Sequence, residues 1–327
     1  MSVVTRWWHD GDRSVTERWV WLDGELLSAD GPHVSVFDRG FQLGDGVFET
    51  LRARGGHVTE LAEHLDRLHR SADGLGIRLS SDADPVIRAG VAGLLRANDL
   101  DGAEADASVR ITVTRGAYRG RGLLPIGESV PPAIAIQVWP VAPAPPDHLE
   151  RGLHLIGSRV RRDPESPLAA LKTTSRADYV YARLEARHAG ADDALFLTLD
   201  GHLSEATSAN LFLVRGGRTA TGGRTATGGR DASPPELATP ALACAILPGT
   251  TRGWLLGWAA RAGLRPIEAW LTTRDLLEAD EAFLCSSVAG VLPVTRYEGE
   301  SIGDGTPGPW TARARAAREA FIRGEQE

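Results

Sequence analysis

Residues 171–214 read LKTTSRADYVYARLEARHAGADDALFLTLDGHLSEATSANLFLV, and this stretch decides the fold. Its first part, TSRADYVYARLEARHAG, predicts a helix that begins near Thr174 or Ser175 and stops at Gly190, a residue suited to a left-handed helix end. Its second part, DALFLTLDGHLSEATSANLFLV, predicts two apolar strands around the turn pair Asp200-Gly201. The stretch also holds Lys172, the one lysine of the chain. Lysines and arginines together number 36, so arginine supplies the other 35. Arginine replaces lysine wherever a plain positive charge suffices, but not where a neutral amine must attack a carbonyl, because the guanidinium stays protonated. Lys172 is therefore the first place to look for chemistry. Its setting excludes a Walker-type phosphate loop, whose lysine directly follows glycine; Lys172 follows Leu171.

On the N-terminal side of this stretch the order is hairpin, helices, strands. Asp23-Gly24 separates two apolar runs in RWVWLDGELL, a hairpin signal. In TELAEHLDRLHRSADGLGI, Leu61, Leu65, Leu68 and Leu75 fall close to one helical face, and Thr59 is the expected N-cap. DPVIRAGVAGLLRAND predicts a second helix, and SVRITVTRG and PAIAIQVWPV predict strands. The proline-rich APAPPDHLERG predicts a stiff connection. This gives an N-terminal α/β domain at 1–143, a linker at 144–150 and a larger C-terminal domain at 151–327. In the latter, GLHLIGSRV predicts a strand, PGTTRGWLLGWAARAGL a helix, EAFLCSSVAGVLPV a strand entering a turn, and the tail from Trp310 a last helix. The repeat GRTATGGRTATGGR lacks an apolar face and predicts a surface loop. Helices and strands mix in both halves, so the class is α/β (α+β) in two domains.

Length and an apolar fraction of 42% provide ample core. A formal net charge of −7 disfavours nucleic-acid or anionic-membrane partners. No apolar run approaches a membrane span, and the N-terminus is too polar for a signal peptide. Cys244 and Cys285 form no C-x-x-C pair and read as reduced thiols in a cytoplasmic protein. The nine histidines show no zinc spacing, so no metal is expected. GESIG at 299–303 and GDGTPG at 303–308 have the letters of G-x-S-x-G and G-x-G-x-x-G, but they share one glycine-rich stretch and lack the strand-to-helix setting that a nucleophile elbow or a dinucleotide fingerprint needs.

An imine-forming lysine either attacks a substrate directly or holds pyridoxal phosphate. The second use needs an anion cup and an acid for the pyridine nitrogen. LPGTTRGWLLGW offers a helix N-terminus in which Gly249 allows close approach and Thr250 and Thr251 add N–H groups and hydroxyls. CSSVAG offers Ser286 and Ser287, and Arg67 offers charge. Each has a plainer reading: Thr250 as a helix cap, Arg67 as a partner of Glu63 at i−4, the serines as turn fillers. The acid is Glu205, in GHLSEATSANLF, whose plainer reading is a surface glutamate.

These segments resemble those of the fold-type IV (class IV) pyridoxal-phosphate enzymes, a family of D-amino-acid and branched-chain aminotransferases, R-selective amine transaminases and 4-amino-4-deoxychorismate lyases. The resemblance rests on FDRGFQLGDGVFETLRA at 37–53, LAEHLDRLHRSADGL at 61–75, the stretch at 171–214, LPGTTR at 247–252 and SSVAGVLPV at 286–294. It implies that Lys172 is the Schiff-base and catalytic lysine. By the same resemblance Glu205 is the partner of the pyridine nitrogen, Arg67 the phosphate-binding arginine, and Thr250, Thr251 and Ser287 the phosphate cup. Phe48, Thr50 and Arg52 alternate along one strand and so share a face, which in the family lines the substrate pocket. Arg115, Arg119 and Arg121, in TRGAYRGRGLLP, stand where family members carry carboxylate ligands. Phe48 departs from the tyrosine of many D-amino-acid aminotransferases, the cup reads Gly-Thr-Thr instead of Gly-Ile-Thr, and Tyr179 is too far from Lys172 to match the cofactor-contacting tyrosine of branched-chain enzymes. The resemblance implies an aminotransferase that exchanges an amino group between an amino acid, expected to be a D-amino acid such as D-alanine or D-glutamate, and a 2-keto acid. A lyase releasing 4-aminobenzoate and pyruvate, and a branched-chain L-amino-acid aminotransferase, are the alternatives. It also implies a homodimer.

Overall fold

The computed structural model describes residues 18–31, 33–125, 130–216 and 234–325. The GRTATG repeats lie outside the described residues. The chain divides into two compact units, residues 1–143 with 172–175, and residues 144–171 with 176–327. The 144–150 segment, expected as a linker, carries a short helix and groups with the second unit; Lys172, expected in the C-terminal domain, groups with the first.

The first unit is built on an antiparallel sheet. Its elements are β1 (Trp19–Leu22), β2 (Glu25–Ser28), α1 (Arg39–Leu43), β3 (Gly46–Arg54), β4 (His57–Val58), α2 (Leu61–Gly74), α3 (Ala83–Ala97), β5 (Asp106–Thr114) and β6 (Ala133–Pro140). The strand order is β2-β1-β6-β5-β3-β4. Asp23 and Gly24 take φ of 48° and 105°, the left-handed pair that a two-residue hairpin needs. Val47, Leu51 and Ala53 of β3 join Val109, Ile111 and Val113 of β5 and the leucines of α2 and α3 in one buried core. The period of two in these strands leaves Phe48, Thr50 and Arg52 on the opposite face, level with Thr112, Arg110 and Ser108 of β5. Thr59 does not cap α2. Its N–H bonds to the Arg52 carbonyl at the end of the sheet, and Glu60, at φ 54°, starts the helix without a side-chain cap.

In the second unit the elements are α4 (Pro146–Glu150), β7 (Leu153–Arg162), α5 (Ala177–His188), β8 (Asp193–Thr198), β9 (Leu203–Ala206), β10 (Asn210–Arg215), β11 (Glu236–Pro240), α6 (Thr250–Ala262), β12 (Arg265–Ala269), α7 (Thr273–Leu277), β13 (Glu281–Ser286), β14 (Gly290–Tyr297), β15 (Glu300–Ser301) and α8 (Pro309–Ile322). The sheet order is β12-β11-β10-β13-β14-β7-β8-β9, with β15 beside β14. Successive residues of β10 serve two cores: Leu211 and Leu213 face one, Phe212 and Val214 the other, with α6 and α8. A strand covered on both faces reads as an unbroken apolar run, which explains NLFLV. The segment expected to hold two strands holds three, because residues 207–209 bend the chain between β9 and β10.

Helix α5 starts at Ala177, later than its sequence predicts. The preceding residues are held by β3 instead: the Phe48 N–H donates to the Lys172 carbonyl at 2.9 Å, and the Thr174 N–H donates to the Gly46 carbonyl at 2.8 Å. Backbone groups already paired to a strand do not enter a helix ladder.

Gly90 sets how closely α3 seats on β1 and β6. A Cβ there would meet the Trp21 ring at 2.8 Å and Ile136 Cδ1 at 3.0 Å. Gly90→Ala is expected to destabilise the chain by about 1–3 kcal/mol, the usual cost of overpacking, read as a lower midpoint in urea unfolding.

Candidate active site

In the first unit Lys172 is positioned through its backbone. Its N–H donates to Ser71 Oγ at 3.1 Å and its carbonyl accepts from Phe48. Its Nζ lies 4.7 Å from the Phe48 ring centroid, and the Arg110 guanidinium lies 3.9 Å from the same centroid. The amine and a guanidinium thus share one aromatic ring on the face that also bears Thr50. The sequence did not single out Arg110: alternation fixes its face of β5, but its place opposite Thr50 comes from the pairing of β3 with β5.

Arg67 is buried on α2, and its partner is not Glu63. Nε and Nη2 donate to Glu49 Oε1 and Oε2 at 2.7 and 2.6 Å, a bidentate pair. His64 Nδ1 lies 2.7 Å from Glu49 Oε2. Burial raises the Glu49 pKa, but the hydrogen bonds from Arg67 and His64 outweigh it and bring it down to about 2. Glu49 sits one residue from Phe48, so it projects to the other face of β3, toward α2.

The remaining arginines divide by their contacts. Arg52 forms a bidentate pair with Asp106, at 2.8 and 2.6 Å. Arg115 donates to both oxygens of Asp45 and to the carbonyls of Leu75 and Gly76. It therefore clamps the turn before β3. Burial raises the Asp45 pKa, and hydrogen bonds from Arg115 and Arg39 bring it below its ordinary value. Arg39 also donates to the carbonyls of Gly122 and Leu123, tying down that loop. Arg119 and Arg121 are exposed on the same loop.

In the second unit Glu205 is buried rather than a surface residue. Its Oε2 accepts the Leu247 N–H at 2.9 Å and lies 3.5 Å from Asn210 Nδ2. Oε1 lies 3.4 Å from the Tyr179 hydroxyl and 4.0 Å from Arg162 Nη2. Burial and the Glu205 charge both push the Tyr179 phenol upward in pKa. Tyr179 thus belongs to the surroundings of the acid, a role its sequence spacing did not reveal. Arg176 stacks on the Tyr179 ring at 3.1 Å from its centroid.

The cup residues come together at the start of α6. Gly249 occupies the N-cap position and makes no side-chain cap of its own, at the positive end of the α6 dipole. A Cβ on Gly249 would fall 2.1 Å from Asn210 Oδ1, which only glycine avoids. Thr250 Oγ1 lies 3.3 Å from Ser287 Oγ, and Thr251 Oγ1 accepts from Arg318 Nη2 at 3.1 Å. Ser286 Oγ accepts the Ala289 N–H at 3.3 Å. Backbone N–H groups, hydroxyls and a helix dipole in one place fit a phosphate group.

The sequence profile of the family described as Amino-transferase class IV matches residues 46–297. The chain is 34% identical over 295 residues to a Methanocaldococcus jannaschii protein described as "Putative branched-chain-amino-acid aminotransferase", covering 90% of this chain and 93% of that one. It is 29% identical over 307 residues to the D-alanine aminotransferase of Bacillus licheniformis, covering 94% and 98%. The crystal structure of the Escherichia coli branched-chain amino acid aminotransferase superposes with a TM-score of 0.82 at 26% identity, covering 95% of this chain and 96% of that chain. The chain belongs to the class IV aminotransferases, and it is a pyridoxal-phosphate-dependent transaminase.

Glu49→Gln is expected to cost about 3–5 kcal/mol at neutral pH, because it strips the compensating charge from a buried Arg67. The folded pKa of Glu49 lies below its ordinary value, so its contribution is complete above about pH 4.5 and fades as the pH falls toward about 2. The stability gap between the wild type and the variant should therefore narrow on acidification. A gap independent of pH would show that the carboxylate charge does not matter.

Proposed function

We propose that the chain moves the amino group of an apolar, branched-chain-type amino acid to a 2-keto diacid, with Lys172 as its catalytic residue. The supporting observation is the shared Phe48 ring, which carries the reacting amine and the guanidinium of Arg110 together. A cation at that place suits a substrate carboxylate. The branched-chain aminotransferase descriptions of the Methanocaldococcus and Escherichia relatives support the branched-chain side of the reading.

Bound pyridoxal phosphate supplies an electron sink for the substrate carbon that loses its proton. Lys172 moves that proton, acting in turn as base and acid. Glu205, held by Leu247, Asn210 and Tyr179, presents a carboxylate to the pyridine nitrogen. The first turn of α6, with Thr250, Thr251 and Ser287, would hold the phosphate; Arg67, held in place by Glu49, is the phosphate-binding arginine that the family resemblance implies. Phe48 and Thr50 line the substrate side.

A second reading, transfer from D-amino acids such as D-alanine or D-glutamate, is supported by the Bacillus licheniformis relative and by FDRGFQLGDGVFE. We also infer a homodimer, supported by the apolar side chains of Val36, Phe41, Leu123 and Leu124 exposed on the first unit. A cytoplasmic setting is supported by the free thiols of Cys244 and Cys285. Among the described residues no helix is long and apolar enough to cross a membrane.

Lys172→Ala should abolish both the absorbance of the lysine-bound cofactor and amino transfer; surviving turnover would remove Lys172 from the mechanism. Arg110→Leu should raise KM for the acidic partner at least about tenfold, the worth of one charged hydrogen bond, with a smaller change in kcat. A panel of both enantiomers of leucine, alanine and glutamate separates the readings. Preference for L-leucine supports the first and D-alanine the second, whereas 4-aminobenzoate from aminodeoxychorismate without keto-acid-dependent transfer would point to the lyase.

A further inference from the structure

Arg318 lies in α8, far in sequence from every residue assigned a role above, yet it reaches the proposed phosphate cup. Its side chain is fully buried. The guanidinium carbon lies 5.2 Å from the ring centroids of Trp254 and of Phe321, so aromatic surface from α6 and α8 encloses it. Its Nη2 donates to Thr251 Oγ1 at 3.1 Å. Taking a guanidinium out of water is costly, and aromatic faces return only part of that cost.

Two consequences follow from the direction of this bond. Arginine can only donate. The Thr251 oxygen is therefore the acceptor, and its single hydrogen must point elsewhere. In addition, a permanent positive charge stands one hydrogen bond behind the first turn of α6, in a setting with little water to screen it. It adds to the positive end of the helix dipole at the place where the cup needs it.

We propose that Arg318 is a positioning residue of the phosphate cup. It acts through Thr251, turning that hydroxyl into a donor for the cofactor phosphate and keeping the start of α6 positive. The inference rests on the reading that Thr250, Thr251 and Ser287 hold the phosphate.

The test uses the full chain freed of cofactor and titrated separately with pyridoxal phosphate and with pyridoxal, which lacks the phosphate. Binding is followed by the absorbance of the lysine-bound aldehyde. Arg318→Met keeps the bulk and removes the charge. It should weaken pyridoxal phosphate about tenfold, as expected for a charge-assisted contact, and leave pyridoxal unchanged. Arg318→Gln, which keeps a neutral donor, should show a smaller loss of the same selectivity and serves if the methionine variant does not fold. Thr251→Val should show the phosphate-selective loss as well, and the double variant should lose less than the sum of the two single losses, because the Thr251 contact is common to both. Equal losses for both ligands, wild-type binding in both Arg318 variants, or fully additive losses would overturn the proposal while leaving the cup in place. Wild-type binding of pyridoxal phosphate by Thr251→Val would overturn the proposal while leaving the backbone donors of the cup in place, whereas equal affinity of the wild type for pyridoxal and pyridoxal phosphate would overturn the cup reading itself.

Discussion

Two backbone hydrogen bonds, from Phe48 N–H to the Lys172 carbonyl and from Thr174 N–H to the Gly46 carbonyl, determine where the lysine stands. They lay residues 172–174 along β3 as a short extended segment. From there the strand distributes the chemistry by its period of two. Phe48 faces the lysine amine and Arg110, whereas Glu49, one residue on, faces α2 and grips Arg67 and His64. A shift of one residue in the β3–β5 register would exchange these faces and separate the amine from its ring.

The arginine-rich composition has a structural counterpart. Arg39, Arg52, Arg67 and Arg115 each pair with a carboxylate, and two-point fork geometry recurs in the pairs with Glu49, Asp106 and Asp45. A planar guanidinium holds a carboxylate at two points and keeps its charge when buried. These pairs lock turns and strand ends. The proposed role of Lys172 accounts for the one lysine, because an amine that forms an imine must be able to lose its proton.

In the second unit one side chain touches both the proposed phosphate cup and the proposed acid. Asn210 contacts Glu205 and the Leu247 carbonyl through its amide, and its Oδ1 is the atom that leaves room only for glycine at position 249. One side chain therefore orders the approach to both features. The proposed phosphate cup draws on backbone and hydroxyl groups at the start of α6, where Gly249 occupies the N-cap position.

Much of this was legible in the linear sequence. Alternation in β3 and β5, the helix of leucines at α2, the turn at Asp23-Gly24 and the Gly-Thr-Thr start of α6 follow from local rules, since each is set by neighbours within a few residues. The lone lysine and the glutamate in β9 were legible as residue types. The allotment of arginines was not. That Arg52 serves Asp106, Arg115 serves Asp45, and Arg110 stands beside Phe48 depends on partners 54, 70 and 62 positions away, and only strand pairing brings them together. The start of α5 and the cap of α2 moved for the same reason: β3 claimed the backbone groups that local propensity assigned elsewhere. By itself the sequence determined which residues are able to carry the chemistry, because that depends on functional groups and short-range geometry. Tertiary structure alone decided which charge meets which, because electrostatic partners are chosen by distance in space.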